Sequence, residues 1–580
     1  MTVITGWSTL VLCIIFLVLF NDPRLQSRTE MSLSSHRRFC LIVGAAACCL
    51  RLLFLVGIPE GISAEEALTG VQARMLWKTG HFLRAGALTT QLPQWTGEST
   101  GPLLAYLTAP FVGIFGMSAF MTRLPLALMS CLALPAFYGI GKELSGRRLG
   151  RNLLLISAFA PLYVISARLT AGANLALFLL PVCLYCLLRG FRQVPFMFAG
   201  MVLTGLMAYS QDLYLLIAPA LVLISAVLYL LCLKGRARLA ALGAFALGAL
   251  LSIPAVLTLQ VNLAPDAAGM TWGPVEIPRL KVFDKLSPVM KAIQGGTISY
   301  DMLKGQFRTA VILGGVMQTF SHMNLAREML LPNGLYALFL MTIPLEILGA
   351  LVLVHRLLTR RKMAGKHVPL AILLICAGMV TVLALVLLGS EGRQNKAGVT
   401  GCYDYASQMA YLLILAAIGL DRVEFKSRTG AALLAGLVAL NAGALGVHLF
   451  SGQYNEAVNT YFLQFREIAE KAEKAHEQTG KKVVVTSEFY PHIAPEEAAE
   501  MIYLYAANPD MTEVAASPAS VCETVYPDAM SQLSTQEIYL MLARNLAEFD
   551  TEGFEMSQSG VFALAVPRDT EAQTTPPAGK

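Results

Sequence analysis

Apolar runs about as long as a membrane is thick recur along the first 450 residues of this chain. They lie near 39–57, 122–141, 152–167, 171–188, 195–210, 213–233, 239–259, 334–354, 368–388, 404–420 and 430–450. Crossing the hydrocarbon takes ~20 apolar residues. In lipid a crossing segment must satisfy its own backbone hydrogen bonds, so each run is read as a helix. The expected fold class is an all-α polytopic membrane bundle of about 11–12 transmembrane helices. Composition agrees: 56% of the 580 residues are apolar and 14% are charged, against about 25% charge in a soluble domain. The net charge of +6 leaves no basic face between the apolar runs, which argues against nucleic acid as a partner.

Lys and Arg collect on the cytoplasmic side of membrane proteins. Arg37-Arg38, Arg147-Arg148 with Arg151, Arg189 with Arg192, Lys234 with Arg236 and Arg238, Arg360-Arg361-Lys362, and Arg422 with Lys426 and Arg428 therefore mark one side. An even number of crossings must separate Arg38 from Arg147, so 39–57 and 122–141 cross. The short, Pro-containing run 101–116 (GPLLAYLTAPFVGIFG) is then a juxtamembrane or re-entrant helix on the outer side. The same parity puts 58–121, 260–333, 389–403 and everything after about 451 outside. Residues 6–20 lack the leading charge and the cleavage site of a signal peptide and read as an additional helix. Glu346 and Arg51 are the main charges inside spans, Glu346 near a cytoplasmic end. The expected organisation is an N-terminal segment 1–38, a transmembrane domain 39–450 with outer loops 58–121 and 260–333, and a domain 451–566. A polar, Pro-rich, disordered tail 567–580 completes it.

The domain after 451 has a different texture. Residues 456–478 read as an amphipathic, charge-laced helix and Lys481–Ser487 as a short buried strand. Ile493–Ala507 looks helical and Gly560–Val566 looks like a closing strand, which together suggest a small extracytoplasmic α/β domain. Its polar cluster Ser487-Glu488-Phe489-Tyr490-Pro491-His492 reads as a structural loop at a strand end. Most of the eleven cysteines sit in apolar runs, where Cys behaves as a small hydrophobe. Only Cys402 and Cys522 look wet, and no CxxC pair joins them.

The outer loop after 39–57 carries the most chemistry. Its stretch Gly57-Ile58-Pro59-Glu60-Gly61-Ile62-Ser63-Ala64-Glu65-Glu66-Ala67 sets two adjacent carboxylates just beyond a membrane exit. Ser63 is placed to cap a helix, with Glu66 three residues on completing a capping box, and that helix should end at Gly80. Taken alone, the two glutamates do no more than complement the helix dipole.

These residues, together with the segments C-terminal to them, resemble the GT-C glycosyltransferases that use polyprenyl-phosphate sugars, the group of the protein O-mannosyltransferase relatives and the aminoarabinose transferases. There, Pro-x-Gly-Leu-x-x-Asp-Glu-Ala comes after the first helix and x-Leu-x-x-x-Gly closes the next. Pro59 to Ala67 and Met75 to Gly80 lie over those two patterns. Gly101 to Phe111 with Phe115-Gly116, Arg123-Leu124-Pro125, Gly146-Arg147-Arg148, Ser166-Ala167-Arg168, Asn174 to Phe178 and Leu187 to Gly190 continue the resemblance in order. So do Gly205-Leu206 with Tyr209-Ser210, and Gly334-Leu335-Tyr336 with Pro344 and Gly349. It covers roughly residues 39–450.

The resemblance implies a sugar carried on a polyprenyl phosphate, entering from the outer leaflet of a bacterial cytoplasmic membrane. An acceptor hydroxyl on a protein, a lipid or a cell-wall polymer would displace the lipid phosphate with inversion. The family's general base falls on Glu65, with Glu66 as its helper or structural partner. A carboxylate at a low-dielectric boundary is the better base at neutral pH. Arg168, Arg123, Arg393 and Lys396 are the expected partners of the lipid phosphate, and Asp212, Gln211 and His322 those of sugar or acceptor. No second His stands near His322 at ligand spacing, so no metal or other cofactor is expected, although some of the family use a divalent ion.

Two departures stand out: Glu65 occupies a position that is usually Asp, and Thr100-Gly101-Pro102 replaces the family's Lys/Asn-Pro-Pro. A side chain one methylene longer requires an adjusted site, and keeps open a non-catalytic relative that scaffolds envelope assembly. A transporter or flippase of lipid-linked intermediates is the remaining alternative. It would place ionisable groups at mid-membrane and show inverted repeats, whereas here the acidic pair lies in a loop.

Overall fold

The computed structural model describes residues 2–19, 31–93, 99–263, 268–279, 292, 295–311, 338–359, 368–388, 408–450, 462–486, 496–517, 521–526 and 530–568. The membrane part comprises α1 (Thr2–Leu19), α2 (Leu33–Leu52), α3 (Ala64–Thr79), α4 (Leu103–Phe115), α5 (Ala119–Ser145), α6 (Arg147–Phe159) and α7 (Pro161–Ile165). It continues with α8 (Gly172–Gly190), α9 (Val194–Met207), α10 (Tyr214–Cys232), α11 (Arg236–Leu263) and α12 (Tyr300–Val311). Then come α13 (Thr342–Thr359), α14 (Val368–Leu388), α15 (Met409–Lys426) and α16 (Arg428–Phe450). Two short hairpins, β1 (Leu92–Pro93) with β2 (Ser99–Thr100) and β3 (Met270–Trp272) with β4 (Val275–Ile277), belong to the loops.

Seven of the described helices are long and apolar enough to cross a membrane, and the bent pair α6–α7 makes an eighth. The chain is a multi-pass membrane protein. Shorter apolar helices, Ile4–Leu19, Val194–Met207 and Thr342–His355, complete the bundle, which is why a count by length falls below the eleven or twelve expected. α4 is likewise short, in place of the run 101–116, and packs along α3 and α5. Burial sorts the helices: 83% of the spanning window of α8 is inside the protein but only 17% of that of α2. A helix apolar all round belongs in the middle. Accordingly Phe178 of α8 meets Tyr163, which also packs edge-on against Phe137 at 5.3 Å.

The span expected at 152–167 is not one straight helix. It bends by 64° between Phe159 and Pro161. Proline has no N–H to continue the ladder and its ring crowds the carbonyl four residues back. The freed carbonyls meet Arg51 of α2, whose Nη1 donates to Ala158 O at 2.8 Å and Nη2 to Ser157 O at 3.4 Å. Arg51, the charge inside the 39–57 span, is thus a carbonyl cap for a broken neighbouring helix. Glu346 lies one turn into α13 and accepts a bond from Thr342 at 2.8 Å. The first helix docks on α16 through Thr9 and Asn441, 3.0 Å apart.

The C-terminal part is built from α17 (Phe462–Thr479), β5 (Lys482–Thr486), α18 (Glu496–Ala507), α19 (Met511–Ala516) and β6 (Cys522–Val525), then β7 (Glu537–Leu542), α20 (Ala543–Leu546), β8 (Phe554–Ser559) and β9 (Phe562–Pro567). The strand order is β6-β5-β7-β9-β8, with β5 parallel to both its neighbours and β7, β9 and β8 antiparallel. α17, β5, α18 and the closing strand β9 stand where the sequence pattern puts them; β6, β7 and β8 are additions to it. Cys522, expected in water, is buried in β6. The cluster Ser487 to His492, Cys402 and most of the tail lie outside the described residues.

Candidate active site

The loop between α2 and α3 carries the carboxylate pair, and its local signals fold as written. Ser63 Oγ accepts the Glu66 N–H at 3.3 Å while Glu66 Oε2 accepts the Ser63 N–H at 3.1 Å, closing the capping box. Gly80, in the left-handed region at φ 78°, ends the helix as a residue without Cβ can.

What the sequence hides is the fate of Glu66. Its side chain is fully buried, and Arg123 of α5 grips it with Nε on Oε1 at 2.7 Å and Nη2 on Oε2 at 2.9 Å. The Thr170 N–H donates to Oε1 as well, at 3.1 Å. The rest of the Arg123 fork reaches the loop backbone: Nη1 to Leu55 O at 2.9 Å and Pro59 O at 2.8 Å, and Nη2 to Gly61 O at 2.6 Å. Arg168 repeats the device one turn of loop earlier. Its Nε donates to Ile58 O, its Nη1 to Leu50 O and its Nη2 to Leu53 O, each at 2.8 Å, with Phe54 O at 2.9 Å. Arginine suits this because its planar fork presents five donors at fixed angles. Neither guanidinium is exposed. Arg123 and Arg168, two of the four residues expected to meet a lipid phosphate, are therefore engaged, in this geometry, in tying down the loop that carries the glutamates.

Glu65 is placed otherwise. It is partly exposed in the first turn of α3, about 100° around the helix from Glu66. The Thr170 segment leads directly into α8, whose Gly172 backs onto Thr100 and the Ser210 carbonyl. An added Cβ there would stand 2.9 Å from that carbonyl. The 209–212 turn in turn receives Leu103, whose N–H donates to Tyr209 O at 3.0 Å. So Asp212 and Gln211 belong to the same layer as the loop: Asp212 is buried, its Oδ1 accepting the Leu213 N–H at 2.9 Å, and Gln211 is half-buried. His322, Arg393 and Lys396 lie outside the described residues.

Sequence reasoning missed two further groups here. Glu276 of β4 holds the segment after α3, accepting the Gly86 N–H on Oε2 at 2.8 Å and the Thr90 N–H on its carbonyl at 3.0 Å. Gln91, beside the β1–β2 hairpin, is fully buried, and neither its amide nitrogen nor its side-chain oxygen has a hydrogen-bond partner among the described residues. Buried amides are nearly always satisfied, so this one retains capacity for a ligand that both donates and accepts. No local pattern marked either residue. Among the described residues no three His, Cys, Asp or Glu side chains gather in a metal-binding group.

The other end of the bundle gathers basic clusters, as their shared side requires. Arg148 meets Asp421 at 2.6 Å, Arg151 pairs with Glu424, and Glu143 takes both Arg189 at 2.5 Å and Arg192 at 2.8 Å.

No family model matches this sequence, and no curated protein does. Solved structures do match. ArnT from Cupriavidus metallidurans, bound to undecaprenyl phosphate, aligns over 92% of this chain and 98% of its own, with TM-score 0.52 and 11% identity. The Archaeoglobus fulgidus oligosaccharyltransferase tethered to an acceptor peptide aligns over 82% of this chain and 63% of its own, with TM-score 0.50 and 14% identity. The same enzyme in complex with Zn and sulfate aligns over 87% and 68%, with TM-score 0.50 and 15% identity. These are GT-C glycosyltransferases, and the fold of this chain is the GT-C fold.

Proposed function

We propose that this protein is a membrane glycosyltransferase that moves a sugar from a polyprenyl-phosphate donor to an acceptor hydroxyl, with Glu65 as general base. The observation that carries the reading is the division of the carboxylate pair. Glu66 is locked by Arg123, Thr170 and its own cap, while Glu65, one residue earlier on the same rigid turn, stays partly exposed. A carboxylate on a held turn and partly exposed suits proton abstraction at ~2.6–3.2 Å. The fold agrees: ArnT, aligned over almost its whole length, was crystallised with undecaprenyl phosphate, and the archaeal transferase with an acceptor peptide.

In this reaction the acceptor oxygen attacks the anomeric carbon as its proton passes to Glu65. The bond from that carbon to the phosphate oxygen breaks on the opposite face, and polyprenyl phosphate leaves, so the configuration inverts. Arg393 and Lys396 remain our assignment for the phosphate, since Arg123 and Arg168 already serve loop carbonyls. Sugar hydroxyls, which donate and accept, match the carboxamide of Gln91, with Asp212, Gln211 and His322 as further partners. The acceptor is a protein, lipid or cell-wall polymer. We place the reaction at the outer face of a bacterial cytoplasmic membrane, with the C-terminal domain on that side.

The test is donor consumption in membranes, using radiolabelled polyprenyl-phosphate sugars, for the wild type and Glu65→Gln. Loss of a general base costs ~100-fold or more. Equal consumption by both would remove Glu65 from the chemistry. No consumption by the wild type over a panel of sugars and acceptors would favour a non-catalytic scaffold.

A further inference from the structure

The C-terminal domain does not merely cover the bundle. Its helix α18 lies across α3, and one apolar cluster joins Ala67, Leu68 and Val71 of α3 to Phe465, Ile502 and Tyr505. The ring of Tyr505 rests on Gly70, where a Cβ would stand 2.5 Å from Cε2. Only a residue with no side chain lets the phenol pass. Beyond Gly70 the Tyr505 hydroxyl lies 3.1 Å from Thr122 Oγ1, both groups buried. Thr122 precedes Arg123, and its carbonyl accepts the Thr170 hydroxyl at 3.3 Å. Thr170 in turn donates its N–H to Glu66. Glu66 and Arg123 are both close enough to Tyr505 to act on its phenol electrostatically, although burial is the main reason its pKa is raised. A second strut runs alongside, with Arg84 after α3 paired to Glu500 of α18 at 2.7 Å.

We infer that Tyr505 is a positioning residue, through which the C-terminal domain holds the first turn of α3, and with it Glu65, in register with the Glu66–Arg123 clamp. For catalysis this rests on the transferase reading; for the ordering of α3 it does not. The contact is made from the side of α3 that Glu65 does not occupy, since Gly70 lies five residues on, about 140° around the helix. Tyr505 therefore acts through the helix rather than on a substrate. A domain docked this way makes the geometry of the base depend on a distant part of the chain, 383 positions from Thr122 to Tyr505.

The experiment uses the purified full chain in lipid nanodiscs, as wild type, Tyr505→Phe, Thr122→Val and the double variant. Tyr505→Phe keeps the ring on Gly70 and removes only the hydroxyl. Amide hydrogen exchange across residues 64–72 is expected to quicken about fivefold, the factor that one lost hydrogen bond of ordinary strength represents. Thr122→Val is expected to do the same, and the double variant no more than either single one, because both remove one contact. With donor supplied, kcat per folded molecule, the folded fraction being measured in the same nanodiscs, falls several-fold while KM stays unchanged, the split of an interaction that acts on the transition state alone. Unchanged exchange in α3 overturns the inference whatever the activity. Additive effects of the two substitutions overturn it as well, since each side chain would then be acting alone. If exchange quickens non-additively but the wild type consumes no donor, the docking role stands and the transferase reading falls.

Discussion

Both ends of the bundle hold arginines against carboxylates, and they do so to different effect. At the loop end, Arg123 and Glu66 have no exposed surface, and the Arg123 fork spends its other donors on backbone carbonyls. At the opposite end Glu143 is shared by Arg189 and Arg192, whose side chains are 26% and 44% exposed. Water reaches the two arginines of the second set, though not Glu143, and neither partner of the first. Exposed pairs contribute ~0–1 kcal/mol, while breaking a buried pair leaves a charge stranded and costs ~3–5 kcal/mol. The loop end is thus closed on both partners, while at the basic end a buried Glu143 is reached by two partly exposed arginines. On the proposed reaction, such a closed frame is what aims the base.

The largest effect should follow Arg123→Ala. It strands Glu66 and releases three loop carbonyls, so stability should fall by ~3–5 kcal/mol, measured as denaturant unfolding of the detergent-purified protein. A loss under ~1 kcal/mol would erase the distinction between the two ends. A smaller effect sharpens it by asking what a buried carboxylate does without an arginine. Glu473 of α17 is buried and accepts the Tyr503 hydroxyl at 2.9 Å. Burial raises its pKa, with the Tyr503 bond opposing. A raised folded-state pKa means that the stability of the protonated form is fully present below the ordinary glutamate range and is lost as pH rises through the raised value. Glu473→Gln should therefore gain stability at neutral pH and nothing at acid pH, read as the pH dependence of the melting temperature. A loss at neutral pH would show that the charged form is the favoured one. The smallest effect is expected for Arg192→Ala, within ~1 kcal/mol by the same unfolding assay, because Arg189 still holds Glu143. A change near that of Arg123→Ala would mean that the exposed arginine matters as much as the buried one.

What could be read in advance was local. The apolar runs located the helices, Ser63 and Glu66 announced their capping box, and Gly80 the end of that helix. The charge clusters foretold that Arg148, Arg151 and Arg189 would gather at one end, where Asp421, Glu424 and Glu143 meet them. The candidate site was legible as a loop with two glutamates, and only the family resemblance, not the local pattern, gave them different roles. Local pattern records only which face of a segment is apolar or which turn is capped, and Glu65 and Glu66 have identical side chains.

The tertiary structure decided the rest, because each deciding contact joins residues that no periodicity links. Glu66 meets Arg123 from 57 positions away, Arg51 meets the carbonyls freed at Pro161 from 107, and Tyr505 meets Thr122 from 383. An arginine in a sequence advertises five donors and no address. Whether it binds a phosphate, a carboxylate or a run of carbonyls depends on which acceptors packing brings within ~3 Å, a property of the assembled bundle. The order of residues alone determined the kind of molecule and the loop that carries the two glutamates, and packing chose which of them is buried against Arg123 and which stays partly exposed.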